Sequence, residues 1–192
     1  MLEDKVARVD PWAQKVAKAA KIVFLAALKE HGIDEKGQLM LAAVRKSRKV
    51  RGEYVLGYYS YMTQFRGRAR IVVDPVAIRS ELAPSLCGKA LTLAINEQVL
   101  MTAAHEYGHV IAEFLRVTKR GALSNIWPCA KIDVPDWTLS FTDEEDFAED
   151  FAQYLTKSGD FYNDEFWDTF LPKYVSAVAP MYSSEGFRQH YV

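Results

Sequence analysis

The pentapeptide His105-Glu106-Tyr107-Gly108-His109 constrains this chain more than any other stretch. Histidines four apart on a helix lie one turn above the other on one face, so both imidazoles can meet a single cation. Glu106 stands at the edge of that face, within reach of a water polarised by the metal. Two neutral nitrogen ligands, an open position and a carboxylate base are what metal-assisted hydrolysis requires. With the four His and thirteen Glu of the chain shuffled at random, the pattern arises in roughly one chain in two hundred. Val110, Ile111, Phe114 and Leu115 supply apolar faces beside it, and a helix from an N-cap at Asn96 to about Val117 is expected.

Two histidines need a third ligand, and the other two in the chain are His31 and His190. The extended HExxHxxGxxH pattern is excluded, because its Gly and third His positions hold Ala112 and Leu115. A carboxylate must serve. The acidic segment from Thr142 to Tyr154 offers Glu145 and Glu149 on one helical face, with Phe147, Phe151, Tyr154 and Leu155 nearly opposite. Such a helix suits a metal site, with Glu145 ligating and Glu149 orienting a histidine through its outer nitrogen. Glu149 and Asp146 remain alternative ligands and Glu113 a weaker one. Thr142 and Glu145 also spell a capping box, which explains the acids without a metal.

HEYGH followed some forty residues later by EDFAEDFA resembles the glutamate-type zincins (gluzincins), most closely the anthrax lethal factor-like catalytic domains. The resemblance covers about the last hundred residues and rests on two short motifs. It implies an HExxH zinc metallopeptidase with zinc on His105, His109 and Glu145 and with Glu106 as general base. That family carries an oxyanion-stabilising tyrosine seven residues before the ligating Glu, a position held here by Thr138. Tyr154 is the first substitute donor to consider, with Tyr162, Tyr174 and His190 behind it.

Composition narrows the class. A chain of 192 residues, 49% hydrophobic and 12% aromatic, can bury a core as one domain. Cys87 and Cys129 are too few and too far apart for a cysteine-based zinc site or a disulfide scaffold, and free, buried thiols are expected. The opening MLEDKVARVDPW has no apolar signal core, and no stretch approaches the ~20 apolar residues of a membrane span, so a cytoplasmic protein without membrane partners is expected.

The net charge of −1 conceals a segregation. Residues 1–80 hold 16 Lys/Arg against 8 Asp/Glu, and residues 81–192 hold 8 against 17. The densest basic run is Arg45-Lys46-Ser47-Arg48-Lys49-Val50-Arg51. It reads either as a contact surface for nucleic acid or another acidic partner, or as a solvated helix end balanced by the acidic half. No recognition motif accompanies it, so the second reading is preferred.

The pattern predicts an α+β chain. Asp10-Pro11 starts a helix that His31-Gly32 ends, and a second helix is expected from about Lys36 to just before Gly52. Two strands follow, around Tyr54–Met62 and Arg68–Val73; Leu91–Ile95 is a further strand or the first turns of the next helix. The long segment 118–142 lacks periodicity and is a candidate cleft-lining loop. A helix from Thr142 to about Lys157 and another from Asp164 to Val178, interrupted at Pro172 or ended by Pro180, complete the chain. The expected organisation is an N-terminal helical region over 1–52 and a zincin-like domain over 53–192, with a small mixed sheet before the active-site helix.

The function expected on these grounds is a zinc-dependent endopeptidase acting on a protein or peptide, with basic residues favoured near the scissile bond because of the acidic helix. The alternative is a zincin-fold binding or regulatory protein, weak or inactive in catalysis, that uses its basic half to touch nucleic acid or a partner.

Overall fold

The computed structural model describes residues 9–33, 39–62, 68–115, 141, 144–158 and 163–178. Its order is α1 (Pro11–Glu30), β1 (Met40–Ala43), β2 (Lys49–Val50), β3 (Glu53–Tyr54), β4 (Gly57–Met62), β5 (Arg68–Val73), α2 (Pro75–Leu82), α3 (Gly88–Leu115), α4 (Glu144–Thr156) and α5 (Asp164–Val178). This is a mixed α+β architecture.

Helix α1 starts as its sequence dictates. Asp10 accepts from the amides of Trp12 and Ala13 at 2.8 and 3.0 Å, and Pro11 occupies the first turn where its missing N–H costs nothing. It ends in a Schellman turn. The amides of Gly32 and Ile33 donate to the carbonyls of Lys29 and Leu28, with Gly32 at φ 80°. Ala13, Ala17, Ala20, Phe24 and Leu28 form its buried face.

The second expected helix does not form over the described residues 39–52. In its place stand β1 and a two-stranded hairpin of β2 and β3, so the segment 1–52 is not helical throughout. Leu39, Leu41 and Ala43 are buried while Met40 is 42% exposed, a period of two. The Leu, Met and Ala of this stretch favour a helix locally. The parallel ladder to β5, from Met40 opposite Arg70 to Ala43 opposite Val73, overrides that preference with contacts remote in sequence.

The expected strand pair is present as β4 antiparallel to β5, and the sheet order is β1–β5–β4. Central β5 buries Ile71, Val72 and Val73 on both faces. Arg51 (φ 53°) and Gly52 (φ 94°) make the tight turn between β2 and β3. Helix α2 is an addition, launched by Asp74-Pro75 just as Asp10-Pro11 launches α1.

Helix α3 takes in Leu91–Ile95, so that segment is helical and Asn96 lies in the helix interior rather than at its cap. At 28 residues it is about 42 Å long. Helices α1 and α2, the sheet and α4 all pack on it. Helix α5 runs through Pro172 to Val178. Its Phe166, Trp167 and Phe170 interleave with Phe147 and Phe151 of α4, with Trp167 centred 5.0 Å from both α4 rings. One apolar cluster joins α1, β1, β5, α3, α4 and α5. Cys87 is free as expected but exposed rather than buried. Cys129, Thr142, Pro180 and all of 118–142 except Phe141 lie outside the described residues. Among those residues no helix is long and apolar enough to cross a membrane.

Candidate metal centre

The site is made where α3 and α4 cross. A β-carbon built on Gly108 lies 2.6 Å from the Ala148 α-carbon, so the two backbones touch at a point that only glycine permits. Gly108 is the fourth residue of HEYGH and Ala148 follows Glu145 by three. Their contact sets the height at which the carboxylates of α4 meet the histidines of α3.

At that height the donors converge. Nε2 of His105 and Nε2 of His109 are 3.1 Å apart, and Glu145 Oε2 lies 3.3 Å from the first and 3.5 Å from the second. The three residues form a group able to hold a metal ion. The outer nitrogens are also engaged: His109 Nδ1 lies 2.8 Å from Glu144 Oε1, and His105 Nδ1 faces Glu149 Oε2 at 3.4 Å. A carboxylate accepts, so Glu144 favours the neutral tautomer of His109 with the hydrogen on Nδ1 and a lone pair on Nε2, and Glu149 favours the same tautomer of His105. Two lone pairs and a carboxylate oxygen then point at one another with no proton among them, an arrangement that repels itself unless a cation sits between. The edges of 3.1 to 3.5 Å match the roughly 3.4 Å edge of a tetrahedron with metal–ligand distances of about 2.0–2.1 Å. The residues present therefore fit a metal.

Glu106 sits beside this group and is 8% exposed. The Tyr59 amide of β4 donates to its carboxylate, and Gly57 of the same strand lies against its side chain, where a β-carbon would come 3.1 Å from Oε1. Burial pushes the Glu106 carboxyl up to about 7; His109 opposes the rise, the Glu145 charge adds to it, and the Tyr59 amide opposes it. The Tyr59 ring stacks on His109 with centroids 5.4 Å apart and planes at 13°. One strand residue thus braces both Glu106 and His109.

The sequence expectations fare unevenly. The structure gathers His105, Glu106, His109 and Glu145 at one point and puts Glu149 Oε2 3.4 Å from the outer nitrogen of His105. Glu144 was missed. It belongs to the acid run read as a helix start, and the signal that finds it is its place next to Glu145 on a helix that crosses the histidines. Tyr154 is corrected. Its hydroxyl donates to Asp168 Oδ1 at 2.7 Å and lies 3.0 Å from His31 Nδ1, at the junction of α1, α4 and α5. Nine residues beyond Glu145 a helix has turned half a revolution out of phase, which puts Tyr154 on the core face with Phe147 and Phe151. Tyr174 is likewise buried, stacked on Phe170. Tyr162 and His190 lie outside the described residues, as does the side chain of Glu113.

Comparison with known proteins returns no match: no protein-family model, no curated protein and no solved structure matches the chain.

Proposed function

We propose that this chain is a zinc-dependent endopeptidase with a zincin-like catalytic domain of the glutamate-ligand type. The observation that carries the reading is the convergence of two Nε2 atoms and one carboxylate oxygen, with both outer nitrogens held by further carboxylates. Two imidazoles and a carboxylate suit zinc, and three protein ligands leave a position open, as catalytic sites require. Zinc, when bound, supplies a Lewis acid that acidifies water and polarises a carbonyl.

The residues of the chain do the rest. Glu106 takes a proton from the attacking water and returns it to the leaving amine, a role suited to a carboxyl poised near neutrality. Glu144 and Glu149 fix the imidazole tautomers. Strand β4 pairs on one side, with β5, among the described residues, and its other edge runs beside Glu106. An extended substrate adds to that edge.

The test is cleavage of a peptide library with and without chelator, by the wild type and by Glu106→Gln. The expected result is chelator-sensitive cleavage that drops by about 10²–10⁴-fold in the variant while bound zinc stays stoichiometric. Cleavage that survives the substitution removes Glu106 from the mechanism. The engagement of the Tyr154 hydroxyl with Asp168 and His31 favours the second reading, a metal-binding module of weak or absent activity. Stoichiometric zinc with no cleavage of any peptide selects it.

A further inference from the structure

The basic run of the sequence is not a helix end. Its residues build the β2–β3 hairpin and the approach to it, and Arg45, Lys46, Arg48, Lys49 and Arg51 are all exposed. The Lys49 ammonium lies 4.1 Å above the Tyr54 ring. Among the described residues no carboxylate comes within ion-pair distance of any of the five.

The hairpin lies in the chain between β1 and β4; one hydrogen bond closes its base and two extend the sheet on either side of it. The Val55 amide donates to Arg48 O, that of Val44 to Val73 O and that of Asp74 to Leu56 O, at 2.7 to 2.9 Å. Between hairpin and sheet is a cleft of about 150 Å³, with Lys46 and Arg48 beside the apolar walls of Val44, Val55, Val72 and Tyr58. Asp74 is the one acid of its lining. It is 1% exposed and its Oδ1 caps α2, so the charges that meet solvent at the cleft are positive.

The cleft abuts the metal centre through a single residue. Gly57 lines it and also lies against Glu106. Tyr59, two residues on, stacks on His109, while Tyr58 between them points to the opposite sheet face, toward the cleft. A peptide added to the β4 edge distributes alternate side chains to these two faces. One set meets the metal centre; the other passes over Tyr58 toward Lys46 and Arg48.

From this geometry we infer that the cleft is a subsite for acidic side chains of a peptide substrate, with Lys46 and Arg48 as the selecting groups. The inference rests on the peptidase reading, and it reverses the preference for basic residues that the acidic helix suggests. Three of the α4 carboxylates face the histidines and are spent on them, whereas no described carboxylate pairs with Lys46 or Arg48.

Binding separates the inference from catalysis. Zinc-loaded full-length Glu106→Gln protein is titrated against three fluorescein-labelled dodecapeptides that differ in carrying four Glu, four Gln or four Lys, and against labelled oligo(dT) of twelve nucleotides. Anisotropy is read at low and high salt. The Glu peptide is expected to bind about tenfold tighter than the Gln peptide, with the margin shrinking as salt rises. Adding Lys46→Ala and Arg48→Ala is expected to erase the margin, with circular dichroism and melting confirming the fold. Equal binding of the Glu and Gln peptides, or tighter binding of the Lys peptide, overturns the inference. Oligo(dT) binding tighter than the Glu peptide and lost in the same variant reassigns the cleft to nucleic acid. Wild-type cleavage of a peptide library then tells the two readings apart. Cleavage without selection for acids refutes the subsite alone; acid-selective binding with no cleavage of any peptide refutes the peptidase alone.

Discussion

Glu144 holds the hydrogen on His109 Nδ1 from 2.8 Å, and a ligand of fixed tautomer binds metal better than one that must first choose it. Glu144→Gln is expected to weaken zinc binding by about 10–100-fold, measured by competition with a chromophoric chelator. An unchanged affinity shows that the 2.8 Å contact does not govern the imidazole. A second histidine makes a pH prediction. Burial and the Lys157 charge hold His31 below its ordinary value, against the opposing charges of Asp168 and Glu30. The unfolded chain therefore binds the proton more readily than the folded one. Stability is full above the unfolded value near 6.5 and is lost as pH falls through it toward the depressed folded value. The melting temperature of wild type should decline between pH 7 and 5 more steeply than that of His31→Gln. Parallel slopes would remove His31 from the account.

At the scale of elements, the crossing of α3 and α4 is the feature most open to test. The β-carbon of Gly108→Ala would meet backbone rather than a yielding side-chain tip, so the helices must part. Overpacking of this kind costs about 1–3 kcal/mol. The expected outcome is a lower denaturation midpoint together with weakened zinc binding, because separation lifts all three α4 carboxylates off the histidines. A variant that melts earlier yet binds zinc normally would uncouple the crossing from the site.

The same elements show what the sequence discloses. His105, Glu106 and His109 are legible because their chemistry and their spacing coincide on one helix. Glu145 and Glu149 are legible through phase, since acids and aromatics alternate around α4. Strand β1 is not, because Leu39, Leu41 and Ala43 favour a helix until β5 is beside them, and nothing local announces a parallel partner some thirty residues away. The Asp-Pro start of α2 is as plain as that of α1, but only eight helical residues follow, too few for a periodic signal. Tyr154 is excluded as a donor by the phase that the sequence already shows, since it shares the buried face of α4 with Phe147 and Phe151.

For the whole molecule, a metal held by this group would be a ligand of the folded state alone, since the three donors come from two helices that only the packed chain brings together. Free zinc at a hundred times the dissociation constant should add about 2.7 kcal/mol, which for a chain of this size shifts the melting temperature by about 5–10 °C. Chelator should abolish the shift. Melting that is indifferent to zinc and chelator alike would leave the histidine–glutamate group as a hydrogen-bonded cluster.

The glycines also bear on ancestry. Gly57 admits helix α3 to strand β4, and Gly108 admits α4 to α3; neither has a side chain with which to do chemistry, yet the positions of the reactive groups depend on both. Kinship with this chain should therefore be sought in a spaced fingerprint of missing side chains: a glycine at the head of the edge strand, another inside the histidine motif and an alanine three places past the acid. On the peptidase reading, a homologue without activity sheds Glu106 and still keeps those three small residues, because they answer to shape alone.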